Sequence, residues 1–274
     1  MQRRQLSYAF LFLVLGLVSI GLVSGNDADK REIRRIGIPD GAAGILFQYV
    51  LKEKHREPAI QTVHFEPYTL YDCCASAGQY ALSSGKLDLA VMCPDAAEAL
   101  VARDDRYRIV GPIMENSDVI FLHPDADLQA PTIAISQKRK YQQQMVASRF
   151  AGRGKCMPML HSAIPFAYAR GVVQGAVLDI VKTHDLSGVA YPAAPTEPGV
   201  VTYVLVVRKS IAASNGFTAL MADYDRAVQE TAHDERLLYL LKRYGSEEYT
   251  EGEVAQWKKL HVRFVSPLGN RQSG

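Results

Sequence analysis

Residues 82–92, LSSGKLDLAVM, decide the fold, because a helix ends and a buried strand begins within this short stretch. Residues 76–84 have the composition of a short helix, which Gly85 terminates. Residues 87–92 predict a strand, and residues 95–103 predict the next helix. A helix, a strand and another helix in close succession are typical of βαβ units and favour a parallel sheet.

The same alternation extends outward in both directions. Upstream, residues 33–38 and 60–65 predict strands on either side of a helix over 43–51. Downstream, further strands are predicted at 119–122, 132–135, 157–160, 176–178 and 200–207, with helices at 138–150 and 165–174. Apolar residues at helical spacing after Phe217 predict a helical C-terminal tail. The fold class is therefore α/β, with mainly parallel sheets flanked by helices.

The first 25 residues differ from the rest of the chain. Arg3 and Arg4 precede a run without any charged residue, from Leu6 to the small residues before Asn26. This layout is typical of a secretory signal peptide, whereas a run of about 20 apolar residues also fits a retained membrane anchor. Both alternatives place the body of the protein in the periplasm or on the outer face of the cytoplasmic membrane.

The charge balance excludes a nucleic-acid partner. The full chain has a net charge of +2, and removal of residues 1–25 takes away two arginines, which leaves 29 basic and 29 acidic residues. A neutral body lacks the basic footprint of a nucleic-acid-binding protein. About 250 residues suffice for two small cores, and we expect a monomer.

The segment at 82–90 contains the pattern L-x-x-G-x-x-D-x-A, which resembles the signature of type II periplasmic solute-binding proteins of ABC transporters. A looser echo lies at 169–179 (ARGVVQGAVLD), and residues 127–136 look like the entry to a second lobe. The resemblance is to the group that binds nitrate, sulfonates, taurine or thiamine precursors. It implies a small-molecule solute, a membrane permease as partner and no cofactor.

The resemblance also implies a division into two lobes. Lobe one is expected to contain residues 33–117 and 206–265, and lobe two residues 124–200. The chain would cross between them near 118–123 and 200–205, where we expect the hinge.

Ligands of α/β sheets bind beyond the carboxyl ends of the strands. Applied to the predicted strands, this rule selects residues in both halves of the chain. The candidate ligand-binding residues are Asp40, Gly41, Tyr71, Cys73, Cys74, Ser76, Cys93, Asp95, Asn116, Ser117, Ser136, Gln137, Lys138, His161 and Ser162.

Charged residues near the predicted helix starts have two interpretations each. Lys138 and the two basic residues after it oppose the helix dipole, which can mark an anion site, although a solvated basic face has the same pattern. Asp40 and Asp95 are typical helix caps, but a free carboxylate in the cleft would suit a cationic group on the ligand.

The four cysteines leave three alternatives open. Adjacent Cys73 and Cys74 are too close in sequence to pair easily, whereas either one can pair with Cys93. Inert buried thiols are the second alternative. In the third, Cys73, Cys74, Cys93 and His161 contact a soft metal or a thiophilic ligand; Cys156 is expected in the other lobe.

We therefore expect a solute-binding protein without catalytic activity. One alternative is a carrier of metal or thiophilic ligands that uses Cys73, Cys74 and Cys93. Another is an enzyme on the same fold, related to thiamine-pyrimidine synthesis. Only Cys73-Cys74 resembles the cysteine cluster of those enzymes. The sequence contains no nucleophile elbow, zinc-protease motif or phosphate-binding loop.

Overall fold

A computed structural model describes residues 32–54, 63–71, 76–194 and 199–269 of the chain. The strands are β1 (Glu32–Pro39), β2 (Val63–Leu70), β3 (Leu89–Met92), β4 (Tyr107–Glu115), β5 (Asp118–Leu122), β6 (Thr132–Ser136), β7 (Lys155–Met159), β8 (Gly175–Asp179), β9 (Val189–Tyr191), β10 (Val201–Arg208) and β11 (Arg263–Phe264). The predicted signal peptide or anchor lies outside the described residues.

The helices flank these strands and form the C-terminal region. They are α1 (Ala42–Tyr49), α2 (Ser76–Ser83), α3 (Pro94–Val101), α4 (Lys140–Arg149), α5 (Ile164–Ala169), α6 (Lys209–Ala212), α7 (Asn215–Glu230), α8 (Asp234–Tyr244) and α9 (Glu251–Lys259). A π-helical turn, Val50–Lys54, continues α1, and two short 3₁₀ helices span His161–Ala163 and Ile180–Thr183. None of the helices in the described part of the chain has the length and hydropathy to cross a bilayer.

The strands form two sheets, which confirms the predicted two-lobed α/β fold. The first sheet has the order β11-β4-β10-β3-β1-β2, and the second has the order β7-β6-β8-β5-β9. We call the first sheet with its helices lobe one and the second sheet with its helices lobe two. Both sheets are mixed, because β10 in lobe one and β5 in lobe two run antiparallel to their neighbours.

The two faces of the second sheet follow from the alternation of side chains along each strand. On β5, Ile120 and Leu122 pack into one apolar cluster with Val177, and Phe121 packs into another with Leu178 on the opposite face. Successive residues of a strand point to opposite faces, so fully apolar strands bury both sides of a sheet.

The helical tail packs onto lobe one. Phe217, Leu220, Met221 and Tyr224 of α7 are buried in the same cluster as the first sheet. Ser214 caps α7, and Thr250 forms a capping box with Glu253 at the start of α9. The predicted helical tail is thus confirmed as a layer of lobe one.

The sequence pattern did not predict β4, because Gly111-Pro112 is typical of a turn. In the structure these residues lie inside the strand, where the pairing of β10 with β4 changes register around Val204 and Pro112. A proline lacks the amide hydrogen for a regular ladder, so it is accommodated at such an irregularity. Gly111 is required there because the backbone of Pro267 crosses directly over it.

We expect Gly111→Ala to lower the free energy of unfolding by about 1–3 kcal/mol, the usual cost of inserting a methyl group into a packed site. The added Cβ would lie 2.9 Å from the carbonyl carbon of Pro267 and closer still to its oxygen. Urea denaturation of the variant beside the wild type measures this difference. An unchanged midpoint would show that residues 263–269 do not pack on β4 in solution.

The chain passes between the lobes at two places. Asn116, with a φ of 58°, reverses the chain between β4 and β5, and its side chain binds the backbone of Val200 and His261 at 2.8 and 2.9 Å. The hydroxyl groups of Ser117 and Thr202 are hydrogen-bonded at 2.7 Å. These contacts connect the two segments at which the chain crosses between the lobes.

Candidate ligand-binding cleft

The carboxyl ends of strands from both lobes meet at one place. In lobe one, β1 leads through Asp40 and Gly41 into α1, and β3 leads through Cys93 into α3. In lobe two, β6 ends at Ser136 and β8 ends at Asp179. This is the position at which α/β sheets bind ligands.

Asp179 of lobe two binds the N-terminus of α1 in lobe one. The amide of Ala42 donates to Oδ1 and Oδ2 of Asp179 at 3.0 and 3.2 Å. The amide of Val181 donates to Oδ1 at 3.2 Å. Gly41 is needed for this approach, since a Cβ there would lie 2.9 Å from Cγ of Asp179. A carboxylate of the protein therefore occupies an anion-binding helix terminus.

A fully buried ion pair lies beside this contact. Nη1 of Arg139 is 2.5 Å from Oδ2 of Asp118, and both side chains are 0% exposed. The same oxygen accepts hydrogen bonds from Tyr141 and, at 2.5 Å, from Nε2 of Gln142. Gln142 is in turn fixed by the amide of Ser136, which donates to its Oε1 at 2.8 Å.

The environment of Asp118 favours its charged form. Burial alone would raise the pKa of its carboxyl, but the charge of Arg139 and the hydrogen bonds from Tyr141, Arg139 and Gln142 outweigh burial and lower the pKa. Oδ1 of Asp118 is buried and has no hydrogen-bond partner among the described residues. It is a buried acceptor to which no group in the described part of the chain donates.

Tyr203 on β10 connects the ion pair to the lobe contact. Nη2 of Arg139 donates to its hydroxyl at 3.1 Å, and the hydroxyl donates to Oδ2 of Asp179 at 3.4 Å. Asp118 and Asp179 lie directly opposite one another on β5 and β8. A continuous chain of polar contacts in the cleft thus runs from Asp118 through Arg139 and Tyr203 to Asp179.

The pKa of Asp179 is raised to about 6, because its carboxyl is buried and faces the negative charge of Asp118. The amides of Ala42 and Val181 and the charge of Arg139 oppose this rise. Burial raises the pKa of Tyr249, which interacts with Asp179, so its hydroxyl is neutral at physiological pH. Asp179 therefore changes its charge near pH 6, well above the usual range of an aspartate.

This raised pKa predicts a pH-dependent stability. Between pH 3.8 and about 6 the folded protein holds a proton on Asp179 that the unfolded chain has lost, so the free energy of unfolding falls as the pH rises through this window. Asp179→Asn should remove this contribution and stabilise the protein above pH 6 by about 3 kcal/mol at most. Urea denaturation at pH 4, 5, 6 and 7 measures both effects; parallel profiles for variant and wild type would contradict the assignment.

Two further polar contacts join the lobes around this centre. Nζ of Lys182 is 2.8 Å from Oδ2 of Asp40, with about a third of each side chain exposed. The amide of Lys140, at the start of α4, donates to Oδ2 of Asp95 at 3.0 Å. Asp95 thus binds the helix of the opposite lobe.

A cavity of about 420 Å³ opens beside Gly41, between the two lobes. Its volume lies within the usual range of small-molecule sites. Its walls combine both lobes and include Asp40, Gly41, Ile45, Pro165, Val181, Lys182, His184, Asp185, Leu186, Tyr244, Gly245, Ser246 and Tyr249.

The structure brings part of the predicted residue set to this cleft. Asp40, Gly41 and Asp95 lie at contacts between the lobes, and Ser136 supports the ion pair through its amide. The buried side chains of Asn116 and Ser117 belong to the crossing between the lobes. Tyr71 (76% exposed), Gln137, Lys138 and Ser162 are at the surface, and His161 is half-buried at the start of its 3₁₀ helix.

The predicted thiol site falls largely outside the described residues. Cys73 and Cys74 lie there, as does the side chain of Ser76. Cys93 is fully buried at the start of α3, and Cys156 is on β7 of the other lobe, as expected. The predictions of a Cys93 disulfide and of a metal site at Cys73, Cys74, Cys93 and His161 remain predictions.

Sequence reasoning missed the residues at the centre. Arg139 lies between two exposed lysines, and the sequence pattern groups all three as one basic turn. In the structure only Arg139 of the three is buried. Asp118 is the first residue of the apolar strand β5, and Asp179 is the last residue of the apolar strand β8. A charged residue at the end of an apolar strand is a candidate for the ligand site. That signal was present in the sequence, whereas their pairing across β5 and β8 depends on the topology.

No protein-family model and no curated protein sequence matches the chain. Solved structures do match. The ligand-binding component of an ABC-type import system from Staphylococcus aureus, with zinc bound, has a TM-score of 0.66 at 12% identity, with 86% of each chain covered.

Two sulfonate-binding proteins also match over most of their length. The alkanesulfonate-binding protein SsuA from Xanthomonas axonopodis pv. citri, bound to MOPS, has a TM-score of 0.63 at 13% identity over 87% of this chain and 88% of that one. The periplasmic aliphatic sulphonate-binding protein from Escherichia coli has a TM-score of 0.59 at 15% identity over 85% of each. The chain thus has the two-lobed type II periplasmic-binding-protein fold, as predicted from its sequence.

Proposed function

We propose that the protein is an extracytoplasmic solute-binding protein, which captures a small molecule between its lobes and delivers it to an ABC-type permease. The observation that carries the proposal is the convergence of polar groups from both lobes on one centre, at Asp179, Arg139 and the start of α1. A solute that touches both lobes binds their closed arrangement more tightly than the open one, which is how a ligand shifts such an equilibrium. The solved structures that this chain resembles are of ligand-binding and sulfonate-binding proteins, which supports a role without turnover.

The lobes would divide close to the bounds that the sequence implies, with residues 33–117 and 201–265 in lobe one and 118–200 in lobe two. In the structure β5 is an inner strand of the second sheet and β10 belongs wholly to the first. We therefore place the hinge at Asn116-Ser117 and in the segment that enters β10, rather than within these two strands. Opening at these points would expose Asp118, Arg139 and Asp179 to the solute.

The charges of the cleft favour a compact zwitterion as the solute. An anionic group, carboxylate or sulfonate, would bind beside Arg139, while Asp179 stays on the amide of Ala42 and holds the lobes together. An ammonium group would donate to Asp179 and to the unpartnered Oδ1 of Asp118. One solute would thereby pair with the guanidinium and with both carboxylates.

Thermal-shift assays with four matched compounds test this proposal. Taurine carries a sulfonate and an amine, ethanesulfonate lacks the amine, and ethylamine lacks the sulfonate. A ligand that binds only the folded state raises the melting temperature, so we expect the order taurine above ethanesulfonate above ethylamine. β-Alanine, with a carboxylate in place of the sulfonate, distinguishes the two anionic groups. Equal shifts for all four, or none, would contradict a zwitterion site.

A further inference from the structure

At the edge of the inter-lobe cavity lies a group of side chains that the solute site does not use. His184 and Asp185 come from lobe two, and Glu248 comes from the loop between α8 and α9 of lobe one. One ligand atom from each of the three lies within 4.8 Å of the other two. In a tetrahedral zinc site with bonds of about 2.0 Å, neighbouring ligand atoms are about 3.3 Å apart, so small rotations of the two exposed carboxylates suffice.

The imidazole of His184 is already oriented for metal binding. Its ring is stacked on Tyr249, with 4.6 Å between ring centroids, and only 14% of its side chain is exposed. Nδ1 lies 3.6 Å from Oε1 of Glu253, while Nε2 faces Oε2 of Glu248 at 3.7 Å. A metal-ligating histidine commonly directs its second nitrogen to a carboxylate, which fixes its tautomer and strengthens it as a ligand.

Glu253 is itself held in place. Its Oε2 accepts hydrogen bonds from the amide and the hydroxyl of Thr250, at 2.7 and 2.6 Å, in the capping box of α9. The other oxygen, Oε1, is thereby directed towards His184. The arrangement contains an oriented imidazole, a supporting carboxylate behind it and two adaptable carboxylates in front of it.

We propose that His184, Asp185 and Glu248 form a zinc site that bridges the two lobes. Three protein ligands with water at the fourth position match the coordination number of open zinc sites, carboxylate oxygens are accepted zinc ligands, and imidazole disfavours Mg²⁺ and Ca²⁺. Because Asp185 and Glu248 belong to different lobes, the ion would stabilise their contact. The inference does not depend on the proposed solute, since Zn²⁺ can be titrated without one.

Calorimetric titration of the EDTA-treated protein with ZnCl₂ tests the site. We expect one ion per chain at this site and at least tenfold weaker binding for Glu248→Gln and for Asp185→Asn. Glu247→Gln is the matched control, because Glu247 is an exposed glutamate next to Glu248 and has no place in the cluster. Both acidic ligands are exposed, so their amide variants should fold normally, which circular dichroism verifies.

CoCl₂ provides a second readout that separates this site from the cysteines. Nitrogen and oxygen ligands give Co²⁺ visible absorption without the near-ultraviolet charge-transfer band of thiolates. A visible spectrum that weakens in Glu248→Gln supports the proposal. A thiolate band that persists in that variant, equal affinities of Glu248→Gln and Glu247→Gln, or no binding of either metal would each overturn it.

Discussion

Arg139→Met is expected to destabilise the protein by about 3–5 kcal/mol, because it leaves the carboxylate of Asp118 buried without its cation. Neither side chain of the pair has any exposed surface. Oδ1 of Asp118 already lacks a partner among the described residues, so only Tyr141 and Gln142 would remain around this carboxylate. For a protein of this size the melting temperature should fall by roughly 6–20 °C.

Two further variants distinguish charge burial from a general loss of packing. Lys140→Met removes an exposed cation next to Arg139 in sequence and should change stability by less than about 0.5 kcal/mol. The double variant Arg139→Met with Asp118→Asn should be more stable than Arg139→Met alone, since the uncompensated charge is gone. Urea denaturation of the wild type, Arg139→Met, Asp118→Asn and the double variant completes the cycle, with Lys140→Met as the control. If Arg139→Met costs no more than Lys140→Met, the pair is not buried as described.

Gly41→Ala is expected to weaken solute binding by roughly 5- to 150-fold, which corresponds to the cost of about 1–3 kcal/mol for inserting a methyl group into a packed contact. The three atoms nearest to the added Cβ all belong to Asp179 of the opposite lobe. The backbone of Gly41 is extended, with a φ of −103°, and therefore accepts alanine without strain. The methyl group should disturb the approach of the lobes and leave the interior of lobe one intact.

Titration calorimetry with taurine, or with whichever compound gives the largest thermal shift, measures this effect. Gly252→Ala, in the first turn of α9, is the control substitution away from the cleft and should bind like the wild type. Small-angle X-ray scattering should show a larger radius of gyration for Gly41→Ala than for the wild type. Wild-type affinity and dimensions for Gly41→Ala would show that the contact of Asp179 with α1 plays no part in closure.

The sequence predicted most of the fold because its elements carry their own local signals. Short continuous apolar runs mark β5, β6 and β8, and helical periodicity marks α7 and α8. It failed at β4, where Gly111-Pro112 has the signature of a turn and only the register change against β10 explains its place in a strand. The mixture of parallel and antiparallel strand pairs also depends on how the chain crosses between the lobes, and no local sequence pattern encodes these crossings.

The sequence indicates where the candidate site lies better than it indicates which side chains form it. The rule that ligands bind beyond strand ends selected Gly41 and Asp95, which the structure places at contacts between the lobes, while their role in ligand binding stays a prediction. It could not show that Arg139 turns inward while its neighbours remain in solvent. It also could not pair Asp118 with Asp179, since that requires β5 and β8 to be adjacent.

The most direct test of the solute-binding account is to identify what the protein retains from a mixture of natural small molecules. Wild-type protein and Gly41→Ala are incubated with a metabolite extract, freed of unbound compounds by rapid gel filtration and analysed by mass spectrometry. The account predicts one compound per wild-type chain, carrying both an anionic group and an amine, and a marked loss of that compound from Gly41→Ala. Retention of nothing by the wild type, or of the same compound in equal amount by both proteins, would contradict it.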